Sequence, residues 1–167
     1  MKIDLKWLKL HPQESEKFHV EAVGRDEFLK ELGGRFIAPV KVDLLITNNH
    51  RVFDVQGQVQ TILELVCSRC LGEVSLPVNC DFCLRMVDST YSTDNTNEDE
   101  MIILDQDIFD LELYVEAAIF MNLPLNPLCK PDCKGLCPGC GINRNTQQCL
   151  CKKEEIDPRW AKLQNLK

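Results

Sequence analysis

The chain has 167 residues and a formal net charge of −7, with 44% hydrophobic and 27% charged residues. This composition is typical of a globular protein and excludes wholesale disorder and collagen-like repeats. Charges at Lys2, Asp4 and Lys6 leave no apolar signal-peptide core, and the longest uncharged stretch, residues 117–129, is too short to span a bilayer. We therefore expect a soluble, cytoplasmic protein that does not contact a membrane.

Alternation of apolar and polar residues with period two dominates the first half of the chain. Three such runs occupy residues 40–47, 53–67 and 74–86. Because strict alternation between turn signals is typical of strands with one buried face, we predict three antiparallel strands. The segment 3–10 predicts an additional strand, and residues 25–32 predict a short helix or turn.

The second half changes character. Residues 88–100 are polar and acidic, which predicts a mobile loop. Residues 108–123 then place apolar side chains at helical spacing, with Asp107 or Asp110 as the cap at its start and Pro124 ending it. This helix is apolar over most of its circumference, so we expect it to pack against the buried face of the sheet.

These elements predict an α+β fold: an antiparallel β-sheet or partial barrel with one packed helix, followed by a zinc-binding, cysteine-rich module. We place the sheet domain at residues 1–128 and the tail, docked on it, at residues 129–167. The first segment has 11 Lys or Arg against 22 Asp or Glu, and the second has 8 against 4. This asymmetry indicates two surfaces, one suited to basic partners and one suited to phosphate.

The chain contains ten cysteines, which is too few for a disulfide scaffold of this length. In a reducing compartment, clustered cysteines at fixed spacing are more often metal ligands. The run Cys67-Ser-Arg-Cys70 can aim two sulfurs at one ion. Cys137-Pro-Gly-Cys140-Gly141 does so more strongly, because Pro and Gly favour the tight turn. With Cys149 and Cys151 it makes a compact set of four sulfurs, for which tetrahedral Zn²⁺ is the natural occupant.

Cys129 and Cys133 need a second pair to complete a site, and Cys67 with Cys70 is the unassigned candidate. An alternative grouping joins Cys129 and Cys133 to Cys137 and Cys140, leaving Cys149 and Cys151 for Cys67 and Cys70. Either grouping predicts two structural zinc ions, because a complete Cys₄ set leaves no open coordination position. The eight predicted ligands are Cys67, Cys70, Cys129, Cys133, Cys137, Cys140, Cys149 and Cys151.

Cys80 and Cys83 resemble a further ligand pair, but the strand pattern opposes this interpretation. Cys80 falls among the apolar positions of its run and Cys83 among the polar ones, so their sulfurs should point to opposite faces of the sheet. We predict one core thiol and one surface thiol.

Little in the sequence supports catalysis or a small-molecule substrate. His11, His19 and His50 lie far from the cysteine motifs, and the chain has no Gly-rich phosphate loop, His-Glu-x-x-His motif or nucleophile elbow. We therefore expect no enzymatic activity.

The chain resembles the YceD family over about residues 60–167. The resemblance rests on Cys67-Ser-Arg-Cys70-Leu, the acidic helix ending at Leu123-Pro124, Pro127-Leu-Cys129, Cys133-Lys-Gly-Leu-Cys137-Pro-Gly-Cys140-Gly-Ile-Asn143, Cys149-Leu-Cys151, and Asp157-Pro158-Arg159 with Leu163. The family is linked to accumulation of 23S rRNA and of the large ribosomal subunit in bacteria and plastids. Its genes often neighbour that of a large-subunit ribosomal protein, which implies a candidate partner. The resemblance implies a role in ribosome biogenesis and no defined molecular activity.

Two functions follow as hypotheses. One is a non-enzymatic assembly factor that binds large-subunit rRNA, a large-subunit ribosomal protein, or both. The other is an rRNA-processing nuclease, which would need clustered carboxylates for Mg²⁺ beside a basic groove. The candidate RNA contacts, which are equally well explained as a solvated surface balancing thiolate charge, are Lys130, Lys134, Arg144, Lys152, Lys153 and Arg159.

Residues 157–166 predict a short terminal helix, with Asp157 as its N-cap and Pro158 at its first position. Ten residues do not hold a helix alone in water, so this helix needs a surface. Trp160 either packs on the protein's own sheet or metal module, or anchors a ribosomal partner.

Overall fold

The computed structural model describes residues 1–50, 52–89 and 101–151. The predicted acidic loop, residues 88–100, lies almost entirely outside these ranges. The predicted helix 157–166 also lies outside them, as do Lys152, Lys153, Arg159 and Trp160. Those predictions stay predictions.

The described part of the protein is mostly β-sheet with a few short helices. In chain order the elements are β1 (Lys2–Asp4), α1 (Lys6–Leu10), β2 (Ser15–Ala22), α2 (Asp26–Leu29), a 3₁₀ turn (Lys30–Leu32), β3 (Arg35–Phe36), β4 (Val40–Asn49), β5 (Val52–Val66), β6 (Glu73–Asp88), β7 (Ile102–Leu104), β8 (Ile108–Asp110) and α3 (Glu112–Met121). The three long predicted strands are confirmed as β4, β5 and β6.

A six-stranded sheet forms the centre of the molecule, with its main path in the order β2-β4-β5-β6-β7 and β3 added against β5. The pairs β4–β5 and β5–β6 are antiparallel, as predicted. The strand β2, which the sequence pattern did not predict, also pairs antiparallel with β4, whereas β6 and β7 are parallel. Within the described ranges this path stays open and does not close into a barrel. β5 and β6 are the longest strands, and the turn between them carries Cys67 and Cys70.

The buried face of the sheet is the apolar set that alternation predicted. Phe53, Val55 and Leu63 of β5 are almost fully buried, while the intervening glutamines are exposed. Cys80 is buried in this core, where desolvation raises the pKa of its thiol, and Cys83 is exposed. The predicted separation of these two thiols onto opposite faces is confirmed.

The predicted strand at residues 3–10 is wrong over most of its length. The chain is extended only at Lys2–Asp4 and then turns into α1, where an oxygen of the Asp4 carboxylate accepts the N–H of Lys6 at 2.8 Å. Leu5 and Leu8, three residues apart, are fully buried, which is a helical and not an alternating spacing.

The predicted helix at residues 108–123 begins later than expected. Residues 108–110 form β8, which pairs antiparallel with β1. The helix α3 starts at Glu112, whose N–H donates to the Asp110 carboxylate at 3.0 Å. This contact lowers the pKa of Asp110. As predicted, α3 packs against the core, where Val115 and Ile119 are fully buried.

Candidate metal centres

Two turns of the same design carry the two Cys-x-x-Cys pairs. In the first, the N–H of Cys67 donates to the oxygen of Gly72 at 2.8 Å, and the N–H of Leu71 donates to the oxygen of Cys67 at 3.0 Å. In the second, Cys137 N–H donates to Ile142 and Gly141 N–H donates to Cys137, both at 2.8 Å. The sequence offsets are identical, so the two pairs are held by one local geometry.

The residue after each second cysteine has a positive φ. This residue is Gly141 in the second turn, with φ of 74°, as the sequence led us to expect. In the first turn it is Leu71, with φ of 57°, and not the glycine that follows it. A left-handed backbone is unfavourable for a residue with a Cβ atom, so the first turn contains local strain that the second lacks.

The first group of sulfurs, which we call cluster A, contains Cys67, Cys70, Cys129 and Cys133. All four Sγ atoms lie within 4.8 Å of one another. The Sγ atoms of Cys67 and Cys133 are 3.9 Å apart, and those of Cys70 and Cys129 are 3.6 Å apart. Three of the four residues are buried, and Cys67 has no exposed surface. Val74 and Leu128 pack against the group.

Backbone contacts hold the cysteine-rich segment against the first turn. The N–H of Ser68 donates to the oxygen of Pro127 at 2.9 Å, and the N–H of Leu136 donates to the oxygen of Arg69 at 3.0 Å. The Arg69 guanidinium also donates to the backbone oxygen of Cys133 at 3.0 Å. At Gly135, where φ is 69°, a Cβ atom would lie 2.9 Å from the oxygen of Arg69, so glycine is required for this approach.

The second group, cluster B, contains Cys137, Cys140, Cys149 and Cys151. Its Sγ atoms also lie within 4.8 Å of one another. The Cys149 sulfur is 3.2 Å from that of Cys137 and 3.7 Å from that of Cys140. Cys140 and Cys151 are exposed and Cys137 is buried, so this cluster faces solvent more than cluster A does.

The structure thus brings the eight predicted ligands together as the first of the two groupings that the sequence left open. At a Zn–S distance of about 2.3 Å, tetrahedral geometry places neighbouring sulfurs about 3.8 Å apart. The four closest contacts between sulfurs range from 3.2 to 3.9 Å, and all pairs within each cluster lie within 4.8 Å. Both clusters therefore match the donor type and the size of a tetrahedral thiolate site.

Hydrogen bonding within each cluster lowers the pKa of some thiols and raises the pKa of others. The N–H groups of Cys129 and Cys70 lower the pKa of Cys67 to about 6, while hydrogen bonding to Cys133 raises the pKa of Cys129 to about 12. In cluster B, hydrogen bonding from Cys149 lowers the pKa of Cys137 to about 6. Hydrogen bonding to Cys140 raises the pKa of Cys151 to about 12. A divalent cation would replace these shared protons when it binds all four sulfurs.

Asn145 links the two clusters, a role that the sequence analysis did not assign. Its side-chain amide donates to the sulfur of Cys133 at 3.3 Å and to the Asn143 side chain at 2.9 Å, and its oxygen accepts the N–H of Lys134 at 2.9 Å. Asn145 lies in the loop of cluster B but contacts a sulfur of cluster A. Only the Asn-x-Asn pattern just after the second turn could have pointed to it, since asparagine is common in turns.

Three of the predicted RNA contacts can be placed. Lys130, Lys134 and Arg144 are exposed, and among the described residues none of the ion pairs involves them. They lie on the loops that carry the two clusters. The structure therefore presents cationic side chains on the loops that carry the sulfurs.

A family model described as "Large ribosomal RNA subunit accumulation protein YceD" matches residues 55–167. The chain belongs to the YceD family. It is 31% identical over 141 residues to an uncharacterized protein of Mycobacterium tuberculosis, a match that covers 75% of this chain and 67% of that protein. It is 26% identical over 171 residues to the protein YlbN of Bacillus subtilis, covering 97% of this chain and 96% of YlbN.

A plant relative carries the family's name. The chain is 23% identical over 156 residues to the chloroplastic large ribosomal RNA subunit accumulation protein YCED homolog 1 of Arabidopsis thaliana, covering 77% of this chain and 49% of that protein. No solved structure matches the chain significantly. Among the described residues of this YceD family member, no helix is long and apolar enough to cross a membrane.

Proposed function

We propose that this YceD family member is a non-enzymatic factor in ribosome biogenesis that supports accumulation and processing of the large-subunit 23S rRNA. Two structural zinc ions, one in each cysteine cluster, would complete its fold. The proposal of two bound zinc ions rests on the two clusters of four sulfurs, whose spacing fits a tetrahedral metal site. The family description supports the link to large-subunit rRNA.

Zinc is the metal that these donors favour. Four thiolates are soft ligands, and a tetrahedral set of four sulfurs selects zinc or an iron–sulfur centre over hard cations such as Mg²⁺. Because each cluster supplies four protein ligands, a bound zinc ion would have no open position for water or substrate. Such an ion stabilises a fold and does not activate a nucleophile.

A metal ion bound in cluster A would join two separate parts of the fold. Its ligands come from the turn between β5 and β6 and from the segment that holds Cys129 and Cys133. Metal binding there would couple the cysteine-rich tail, proposed as residues 129–167, to the sheet domain, proposed as residues 1–128. Binding energy at such a site is also folding energy.

The partner under this proposal is large-subunit rRNA, a large-subunit ribosomal protein, or both, in the cytoplasm. The exposed Lys130, Lys134 and Arg144 would contribute contacts to phosphate. Each zinc ion with four thiolates carries a formal charge of about −2. RNA binding by the tail would therefore be modest and would weaken steeply as salt rises.

A nuclease is the competing proposal. Within the described ranges, the two sets of three or more potential metal ligands that lie close together are both composed of cysteine. A test is to incubate the purified protein with precursor rRNA, with and without Mg²⁺. We expect retarded migration of intact RNA, and shortened RNA that depends on Mg²⁺ would favour the nuclease.

The test of the whole proposal is complementation in cells that lack the gene. We expect the ratio of large-subunit to small-subunit rRNA to fall in these cells and to be restored by the wild-type protein and by Cys83→Ser. Cys67→Ser with Cys70→Ser should fail to restore it. An rRNA ratio that does not change when the gene is removed would overturn the proposed function.

A further inference from the structure

The helix α3 exposes an apolar face that its own core does not use. Val115 and Ile119 point into the core, whereas Leu113, Phe120 and Met121 are 71%, 54% and 81% exposed. A helix at the surface of a globular protein ordinarily carries polar residues on its outer face.

The exposed positions form one continuous surface. Leu113, Ala117, Phe120 and Met121 follow the spacing i, i+4, i+7 and i+8, which places them on one side of the helix. We call these four residues the α3 stripe. Phe120 extends it toward α2, because its ring lies edge-on to that of Phe28 with centroids 6.2 Å apart. Contiguous exposed apolar surface of this kind marks interaction sites more often than scattered apolar residues do.

The surroundings of the stripe are acidic. Residues 25–32 and 101–129 together hold eight Asp or Glu against two Lys or Arg. One of the two cations, Arg25, is already engaged, at 2.9 Å from Glu112 and 2.7 Å from Glu116. Asp107 pairs with Lys9, and Asp110 pairs with the terminal amino group. Among the described residues, the acids of these segments outside any ion pair are Asp26, Glu27, Glu31 and Asp105. The last turn of α3 has no basic residue to offset the negative end of the helix dipole.

We propose that the α3 stripe is the docking surface for a basic protein segment that presents large apolar side chains between lysines or arginines. This inference rests on the proposed function for the source of that segment, a protein of the large ribosomal subunit. Apolar anchors would cover the stripe, and flanking cations would meet the acids and the open end of the helix dipole.

The acidic residues in the segments around the α3 stripe distinguish between the molecules that could bind there. RNA phosphate would be repelled by them, and the stripe lacks a basic groove. A second copy of this chain, paired about a two-fold axis, would bring the same acids of both protomers together. A basic protein satisfies the apolar and the electrostatic requirements at once.

The experiment uses the full chain and the individual proteins extracted from large ribosomal subunits and freed of rRNA. Binding of each protein is measured by fluorescence anisotropy at two salt concentrations. The test variant is Leu113→Lys with Met121→Lys. The matched control is Leu10→Lys with Ile103→Lys, which adds the same charge at apolar positions that are 71% and 64% exposed elsewhere on the surface.

We expect at least one basic large-subunit protein to bind the wild-type chain. The test variant should weaken that binding about tenfold or more, and the control less than about twofold, because only the former places cations against cations and removes the anchoring surface. Equal weakening by the two variants would show an effect of net charge alone and overturn the proposal.

Two further results would also overturn it. A wild-type dimer that the test variant converts to a monomer, but the control does not, would identify a second copy as the occupant. A lower melting temperature of the test variant without any partner would show that the chain covers the stripe itself. If the wild-type chain restores the rRNA ratio in cells yet binds no ribosomal protein, this inference fails while the proposed function stands.

Discussion

Clusters A and B each contain four cysteine sulfurs and a Cys-x-x-Cys turn of the same geometry, but they differ in burial and in the length of chain between their sulfurs. Cluster A is largely buried, and Cys67 and Cys133 are 66 residues apart. Cluster B is largely exposed, and Cys137 and Cys149 are 12 residues apart. A metal ion bound in cluster A would therefore cross-link distant parts of the chain, and one bound in cluster B would close a local loop.

The difference shows how chain topology changes the role of identical chemistry. Closing a longer loop removes more conformational entropy from the unfolded chain, so a cross-link there stabilises the folded state more. Burial also restricts the access of water and competing ligands. With zinc bound, cluster A should stabilise the whole molecule, whereas cluster B should order only its own loop.

The largest expected effect is that of breaking cluster A. Cys67→Ser should lower the melting temperature by on the order of 10 °C, because it frees the buried cross-link between the sheet and the cysteine-rich segment. Cys140→Ser in cluster B should lower it by less than half as much. Thermal unfolding followed by circular dichroism measures both, with the exposed Cys83→Ser as the control. Equal losses for the two variants would contradict the long-range role of cluster A.

Metal release should separate the two clusters by rate. When a chelating dye is added to the zinc-loaded protein, we expect two phases of equal amplitude, the faster from the exposed cluster B. The rates should differ by about tenfold or more, because release from cluster A needs local opening of buried structure. Cys149→Ser should remove the fast phase. Loss of the slow phase in that variant would reverse the assignment.

Asn145 tests whether the clusters are coupled. Asn145→Ala removes the hydrogen bond to the Cys133 sulfur, and loss of such a supporting contact weakens metal binding about tenfold. Competition with a chelator should show this loss at cluster A, although Asn145 lies in the loop of cluster B. Gln147→Ala, at an exposed position in the same loop, is the control. A loss confined to cluster B would separate the two sites.

The smallest effect concerns the left-handed residue of each turn. Gly141→Ala should cost about 1 kcal/mol, entirely from backbone strain, because no atom lies within 4 Å of the added Cβ. Leu71→Gly should leave the free energy of unfolding nearly unchanged, since relief of strain is offset by greater freedom of the unfolded chain. Urea denaturation measures both values. A Leu71→Gly variant less stable than Gly141→Ala would show that the Leu71 side chain packs usefully.

The alternation of apolar and polar residues correctly predicted the long strands, because that pattern depends only on neighbouring residues. Alternation located β4, β5 and β6 and separated Cys80 from Cys83, because one buried face imposes a period of two. The pattern failed at residues 108–110, which look like the first turn of α3 but pair with β1. Their partner is more than a hundred residues away, and a window of neighbouring residues cannot contain that contact. The contacts of Asn145 with the Cys133 sulfur and the Lys134 N–H, 12 and 11 residues away, were missed because they depend on how the two cysteine loops fold together.

Counting the cysteines limited the ways in which they could form two metal sites. The fold decided which of these groupings is present. Once Cys80 and Cys83 are set aside, eight sulfurs divide into two sets of four, and the sequence allows more than one division. The backbone contacts of Ser68 and Arg69 with the cysteine-rich segment bring Cys129 and Cys133 to the first turn. Spacing alone contains no information about that approach.

If the two clusters hold two zinc ions with different roles, metal content and stability should change differently when each cluster is broken. Elemental analysis and native mass spectrometry of the full chain, purified under reducing conditions, test it most directly. We expect two zinc ions per wild-type chain. We expect one ion in Cys140→Ser, with the melting temperature largely kept, and one in Cys67→Ser, with the melting temperature strongly lowered. One ion or none in the wild-type protein would contradict the proposal of two bound zinc ions.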